Sequence, residues 1–270
     1  YHHQLMQNCL QVNNGTTQFR EVSFMANVAS TDWSWGTLML DFNLDGKQDI
    51  FVSNGIQRDL TNFDFVDFIS DSGQIDKIVR SSGKADFTQF LPHMPSTKLA
   101  NYAFINHGDL SFTNQAEQLG LATPSFSNGS AYGDMDDDGD LDLVINNANM
   151  PAFVYRNDAV QQGKNGFLKI KLAGPAENPL GIGAKVIIKH GPQIQVLQQY
   201  VSRGFESSVE PGLWFGLGTN AKADTVTVIW PDLKEEVFTN VAANTTLRPD
   251  YTNAGPSNQK KPSAAAPLYT

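Results

Sequence analysis

Asp134-Met135-Asp136-Asp137-Asp138-Gly139-Asp140-Leu141-Asp142 repeats the layout of an earlier stretch, Asp41-Phe42-Asn43-Leu44-Asp45-Gly46-Lys47-Gln48-Asp49. Oxygen-bearing side chains stand at positions 1, 3, 5 and 9 of each stretch, with glycine at 6. A hard cation such as calcium takes six to eight oxygens at about 2.3–2.6 Å, and alternate residues of a tight turn converge on one point. Glycine at position 6 permits the sharp turn that brings the position 7 carbonyl inward. The layout predicts two Ca2+ sites. Asp41, Asn43, Asp45, Lys47 (through its carbonyl) and Asp49 line the first, and Asp134, Asp136, Asp138, Asp140 and Asp142 the second.

These loops are not EF-hands, which carry a bidentate glutamate at position 12 and flanking helices. Position 12 is Val52 in one loop and Ile145 in the other, each inside a short apolar run that reads as a strand. Asp49 and Asp142 are then expected to close the shell from position 9, within a strand–loop–strand hairpin. Aspartate and glycine also favour turns that hold no metal. Five carboxylates at 134, 136, 138, 140 and 142 repel one another without a cation, however. Asn43 stands where the second loop has Asp136, which predicts weaker binding in the first loop.

The loops belong to a longer duplication. A shift of 93 residues aligns 8–55 with 101–148 without a gap, and the identities include Asn13/Asn106, Phe19/Phe112, Ser34/Ser127 and Gly36/Gly129. A third copy begins at Phe153, with Phe153 set against Leu10. Each unit reads as strands 9–12 and 18–23, a turn between them, then strand 35–40, the acidic loop and strand 49–53. Four short strands per unit is the content of one β-propeller blade. Two blades do not close a ring of the usual four to eight. The expectation is therefore a piece of a longer protein with further blades upstream, the alternative being an open β array capped by the next domain.

Residues 56–100 interrupt the repeats. Leu60, Phe63, Val66 and Ile69 recur every three residues, as in a short amphipathic helix, with Thr61 and Asp64 as a capping-box variant. Ile75, Ile78 and Val79, then Phe87, Phe90 and Leu91, predict two more short helices before Pro92 and Pro95. This helical insertion is either a cover for a sheet edge or a docking surface. Beyond it, period-two runs at 167–172, 184–188, 196–201, 213–215, 225–230 and 236–238, with a seventh at 245–248, predict an antiparallel β-sandwich. The chain thus divides into calcium-loop blades with their insertion over 1–158, a sandwich over 159–249, and a linker or tail over 250–270 whose composition does not support a core.

At this point the residues resemble a known group. The acidic-loop units look like VCBS/FG-GAP repeats, the calcium-loop blades of integrin-like propellers. Four short motifs of the next segment occur in the order expected of an ASPIC/UnbV domain: Gly181-Ile-Gly183-Ala184, Arg203-Gly204-Phe205-Glu-Ser207, Leu213-Trp-Phe215-Gly216-Leu217-Gly218 and Val228-Ile-Trp230-Pro231. That pairing resembles the cartilage acidic protein family and many bacterial surface proteins. The resemblance implies a secreted or surface-exposed binding or scaffold protein, outer-membrane associated if bacterial, and brings no catalytic residues with it.

Composition narrows the partners. A net charge of -9 and a pI near 4.9 argue against nucleic acid and anionic membrane. No apolar run reaches the ~20 residues of a membrane span. Cys9 is the only cysteine, which excludes an intrachain disulfide, and its place opposite Tyr102 of the next repeat predicts a buried thiol. The five histidines lack metal-ligand spacing, no Gly-x-Ser-x-Gly elbow occurs, and Gly181-Ile-Gly183 leads into a strand rather than a helix. Arg203 and Glu206 read as a structural ion pair. The chain is expected to be no enzyme but an extracellular or cell-surface module for glycan or protein partners. An accessory part of a calcium-dependent polysaccharide-active enzyme, with catalytic residues outside this chain, is the alternative. Trp33 and Trp35, two residues apart before the first loop, are the aromatic candidates for a sugar contact, Trp33 as core and Trp35 as the exposed one.

Overall fold

The computed structural model describes residues 7–13, 15, 18–82 and 87–256. The chain start and the tail beyond 256 lie outside these. The chain is mainly β, with a short helical insertion and several antiparallel sheets. Strands β1 (Gln11–Asn13) and β2 (Phe19–Glu21) form a hairpin. Strands β3 (Ser34–Leu40) and β4 (Asp49–Asn54) flank the first acidic loop. After the insertion come β5 (Tyr102–Asn106) and β6 (Phe112–Asn114), then β7 (Ser127–Gly133) and β8 (Asp142–Asn147) around the second loop, and β9 (Phe153–Tyr155).

The duplication is preserved in hydrogen-bond register. β3 pairs β4 with Leu40 opposite Asp49, and β7 pairs β8 with Gly133 opposite Asp142, each with a register shift at the equivalent place, 34–37 and 127–130. The phase of the unit differs from the sequence reading. One sheet has the order β3-β4-β5-β6, so the opening hairpin of the second repeat completes the sheet begun by the acidic loop of the first. The link is the position 9 carboxylate. Asp49 Oδ1 accepts from Asn106 N at 2.8 Å, while Asn106 Nδ2 donates to Gln48 O at 2.9 Å. The same bond joins Asp142 Oδ1 to Asn157 N at 2.8 Å in the sheet β7-β8-β9. Asn157 is therefore the counterpart of Asn106 and Asn13, which moves the third copy by one residue from the expected alignment.

Apolar residues join these sheets. Ile50, Val52, Phe104 and Phe112 pack with Ala26 and Val28, while Leu38, Leu40, Phe51 and Ile105 pack with Leu141, Leu143 and Ile145. Cys9 is exposed rather than buried, because it precedes β1 and, among the described residues, lies in no strand pairing.

The insertion forms α1 (Phe63–Ser70), α2 (Ser72–Ser82) and a 3-10 helix at Phe87–His93 that contains Pro92. The α1 cap is Asn62, whose Oδ1 accepts from Asp64 N and Phe65 N, and Thr61 turns to Asp59 instead. Phe65 is buried, and Phe68 stacks on His93 with centroids 4.1 Å apart. A three-residue spacing turns 300° per step and drifts around a helix. The stripe Leu60, Phe63, Val66 and Ile69 is consequently exposed. Among the described residues no helix is long and apolar enough to cross a membrane.

The second half packs two sheets around one core. Strands β10 (Gly166–Ile170), β11 (Lys185–His190), β12 (Gln193–Gln198), β13 (Leu213–Gly218), β14 (Lys222–Ile229), β15 (Lys234–Ala242), β16 (Thr245–Leu247) and β17 (Gly255–Pro256) arrange as β13-β10-β16 and β12-β11-β14-β15-β17. Leu168, Ile170, Val186, Ile188, Phe215, Val226, Val228 and Trp230 fill the space between them. One pairing departs from the antiparallel expectation, since β16 runs parallel to β10. Residues 250–256 are also structured where composition predicted a tail. Tyr251 meets Trp230 edge-on at 5.5 Å, Asp250 caps a short turn, and β17 pairs with β15. Few but well-placed contacts override a polar composition there.

Candidate metal centre

Both acidic loops sit on the seam between the repeats and the sandwich. In the second loop, carboxylate oxygens of Asp134, Asp136 and Asp138 lie within 4.8 Å of one another. Oxygens bound to one calcium at 2.3–2.6 Å are at most about 5 Å apart, so this spacing fits a shared cation. Two further atoms bear on the fit. Asp134 Oδ1 and Asp140 Oδ1 are buried and accept no hydrogen bond. A buried carboxylate oxygen without a partner is costly, and a cation would remove that cost. Burial pushes the Asp140 carboxyl up to about 6, and burial together with the Asp138 and Asp142 charges raises that of Asp136. Burial is the larger cause of both shifts, and the neighbouring carboxylates add to it.

Asp142 acts differently from the other four. Its two oxygens accept from Met135 N and Asn157 N, both at 2.8 Å, so its visible job is to brace the loop entry and the next strand. Asp49 does the same through Phe42 N and Asn106 N. The position 9 residues, which the spacing places last in the shell, thus also anchor the hairpin, and each of their oxygens keeps a second lone pair.

The first loop is satisfied more locally. Asp41 accepts from Asp45 N at 3.1 Å and Gly46 N at 2.8 Å, and Asn43 Oδ1 also accepts from Asp45 N. Lys47 Nζ lies 2.9 Å from Asp45 Oδ2, and this hydrogen bond raises the lysine above its usual range. Burial pushes Asp41 up to about 7 and Asp49 up to about 6. Asp41, Asn43, Asp45, Lys47 and Asp49 are brought onto one turn, but the converging carboxylate triad occurs only in the second loop among the described residues.

A lysine that the sequence reading missed faces the second loop. Lys169 of β10 places Nζ 2.6 Å from Asp134 Oδ2 and 3.0 Å from Asp137 Oδ1, with its side chain 2% exposed and that of Asp134 0%. Burial works against its charge, yet the hydrogen bonds to Asp134 and Asp137 outweigh it and hold the ammonium above its usual range. Leu168 and Ile170 point into the sandwich core, so Lys169 emerges on the opposite face, against the loop. Alternation alone gives the face but not what lies beyond it. Each loop therefore meets one ammonium, Lys47 from its own turn and Lys169 from the facing domain.

Glycines close the seam. A Cβ on Gly139, whose φ is +106°, would overlap the Phe167 ring. One on Gly216 would overlap Asp41 Oδ2 and the Leu44 carbonyl. Gly218 N donates to Leu44 O at 2.9 Å, Asn165 Nδ2 to Asn43 O at 2.8 Å, and Asp134 N to Glu210 Oε2 at 2.9 Å. Trp214 joins the core of the repeats rather than that of the sandwich. The Leu213–Gly218 motif thus has its glycines where the first loop comes closest.

Two other expectations resolve nearby. Trp35 is 38% exposed, donates from Nε1 to Gly55 O and lies 4.9 Å from the Phe205 ring, while Trp33 is half-buried. Arg203 does not pair with Glu206. Its guanidinium donates to the Gln198 and Tyr200 carbonyls and so holds the turn from within.

The chain is similar to cartilage acidic protein 1 of Homo sapiens, 28% identical over an alignment 233 residues long that covers 77% of this chain. The match spans about a third of that protein, 34% of its length. Residues 174–256, which lie in the sandwich, match the family described as ASPIC and UnbV.

Proposed function

We propose that this chain is a calcium-braced, non-catalytic binding or scaffold module that works outside the cell or at its surface. The observation that carries the reading is the second loop, where three converging carboxylates accompany two buried oxygens without hydrogen-bond partners. Asp134, Asp136, Asp138 and Asp140 would hold the cation, which supplies positive charge and cross-links the loop. The first loop is a second, weaker site, since Asn43 and Lys47 stand where the second loop has the carboxylates of Asp136 and Asp140. Because both loops abut the sandwich, a bound ion would stiffen the seam as well as the hairpin. Sites of this kind in extracellular modules have Kd values of about 10⁻⁴–10⁻³ M, matched to calcium levels outside cells.

The repeats are read as blades of a β-propeller of FG-GAP/VCBS type. The preserved register of the two acidic hairpins supports this, and further blades from outside this chain would complete the ring. The exposed Trp35 beside Phe205 supports a glycan contact on the repeat side.

Calcium titration by calorimetry tests the metal reading. The expected result is one binding event at submillimolar to millimolar Kd and a weaker second one, the first abolished in Asp136→Ala/Asp138→Ala. These side chains are not buried, so the variant keeps its fold. Equal binding by the variant and the parent would contradict the assignment of the site.

A further inference from the structure

The helical insertion carries an apolar ridge that its own core does not use. Phe63 is 85% exposed, Leu60 54%, Ile69 43% and Val66 38%, although each is a large hydrophobic residue. The burial of Phe65 and the stacking of Phe68 on His93 fix which way α1 faces, so the ridge points outward by construction. Scattered single apolar residues on a surface need no explanation, but Phe63, Val66 and Ile69 exposed together on α1, with Leu60 just ahead of it, mark an interaction site.

Charge identifies the partner. α1 itself carries Asp64 and Asp67 and no lysine or arginine, with Asp59 before it and Asp71 after it, while the cations of this stretch, Arg58, Lys77 and Arg80, lie outside α1. Asp64 and Asp67 are exposed on α1 and border Phe63 and Val66. A second copy of this chain would bring like charges together, and an anionic lipid surface would be repelled. A segment with apolar residues on one face and lysine or arginine along its edges satisfies both the ridge and its acidic border.

We infer that the Leu60–Ile69 ridge docks a basic amphipathic helical segment of a partner protein. This rests on the reading of the chain as a surface-binding module and is independent of the metal, since no acidic-loop residue contributes to the ridge. Apolar residues at helical spacing on the partner would cover Phe63 and Val66, and its cations would meet Asp64 and Asp67.

The test uses a synthetic amphipathic peptide of leucine and lysine, about five turns long, and a twin with glutamate for lysine. Fluorescence anisotropy with the whole chain should show binding of the lysine peptide and not of the glutamate twin. Phe63→Ser/Val66→Ser should weaken that binding by about tenfold or more, the loss expected when central apolar anchors are removed. Asp64→Lys/Asp67→Lys should reverse the preference between the two peptides. Melting of each variant in calcium and in chelator checks the fold, and it reads the metal proposal separately from the docking one. Unchanged lysine-peptide affinity in Phe63→Ser/Val66→Ser would overturn the inference. So would a preference left unreversed by the charge swap. Binding of the parent chain to phosphatidylcholine vesicles, or a dimer dissolved by Phe63→Ser/Val66→Ser, would assign the ridge to a membrane or to a second copy and overturn it equally.

Discussion

Replacing Gly216 by alanine should lower the stability of the whole chain by about 3 kcal/mol, the upper end of what an added methyl in a packed interior costs. The reason is the nature of the neighbours. A Cβ at this position meets Asp41 Oδ2 and the Leu44 carbonyl, part of a backbone held to β13 by the bond from Gly218 N to Leu44 O. A flexible side chain can turn away from a methyl group, but a hydrogen-bonded backbone must move as a unit. The loop would have to leave the sandwich, which also disturbs Asp41 as a candidate ligand. Gly255→Ala is the control, because nothing lies within 4 Å of a Cβ there and its φ is not in the left-handed region. At roughly 2–4 °C per kcal/mol for a chain of this size, thermal unfolding resolves the difference easily. Equal melting temperatures for the two variants would mean that the first loop and β13 are not packed together in solution.

Lys169→Met should be more damaging still in the absence of calcium, costing about 3–5 kcal/mol, because removal of one partner leaves a buried carboxylate uncompensated. Asp134 is fully covered, and Lys169 supplies its closest positive charge. Methionine retains most of the lysine stem, so the loss reports charge rather than volume. Two further measurements separate this account from a simple packing defect. Calcium should restore a large part of the lost stability, since the ion supplies charge to the same carboxylates. The added substitution Asp134→Asn should recover stability without calcium by removing the orphaned charge, and a double-mutant cycle gives the coupling energy directly. A Lys169→Met variant as stable as the parent would show that Asp134 does not need its ammonium.

The acidic loops, their hairpin setting and the duplication were legible because turn geometry and carboxylate spacing are local properties. The strands of the sandwich were legible for a similar reason, since alternation in Lys185–His190 or Lys222–Ile229 states directly which face is buried. The phase of the repeat was not. Sliding the sequence on itself finds the period, but Asp49 chooses its strand partner through Asn106, 57 residues away and across the insertion. Lys169 was hidden for the same reason, because the strand pattern cannot name the loop that its outward face will meet. The α1 stripe gave the helix but not the way it faces. Its spacing suits an amphipathic helix that covers an edge or offers a docking surface, and Phe65 and Phe68 found the aromatic partners and left the stripe to solvent. Competition among apolar residues is settled by what is available to pack against, which a single sequence does not contain.

The measurement that bears most directly on the calcium-braced reading is thermal unfolding of the parent chain and of Asp136→Ala/Asp138→Ala, each in millimolar calcium and in chelator. At ten times Kd, the level millimolar calcium reaches for a Kd of about 10⁻⁴ M, one site contributes about 1.4 kcal/mol by mass action, or roughly 3–6 °C here. The account predicts that calcium raises the melting temperature of the parent by this order and that the double variant loses most of the rise. Identical melting of the parent with calcium and with chelator would contradict it and make both loops ordinary acidic turns.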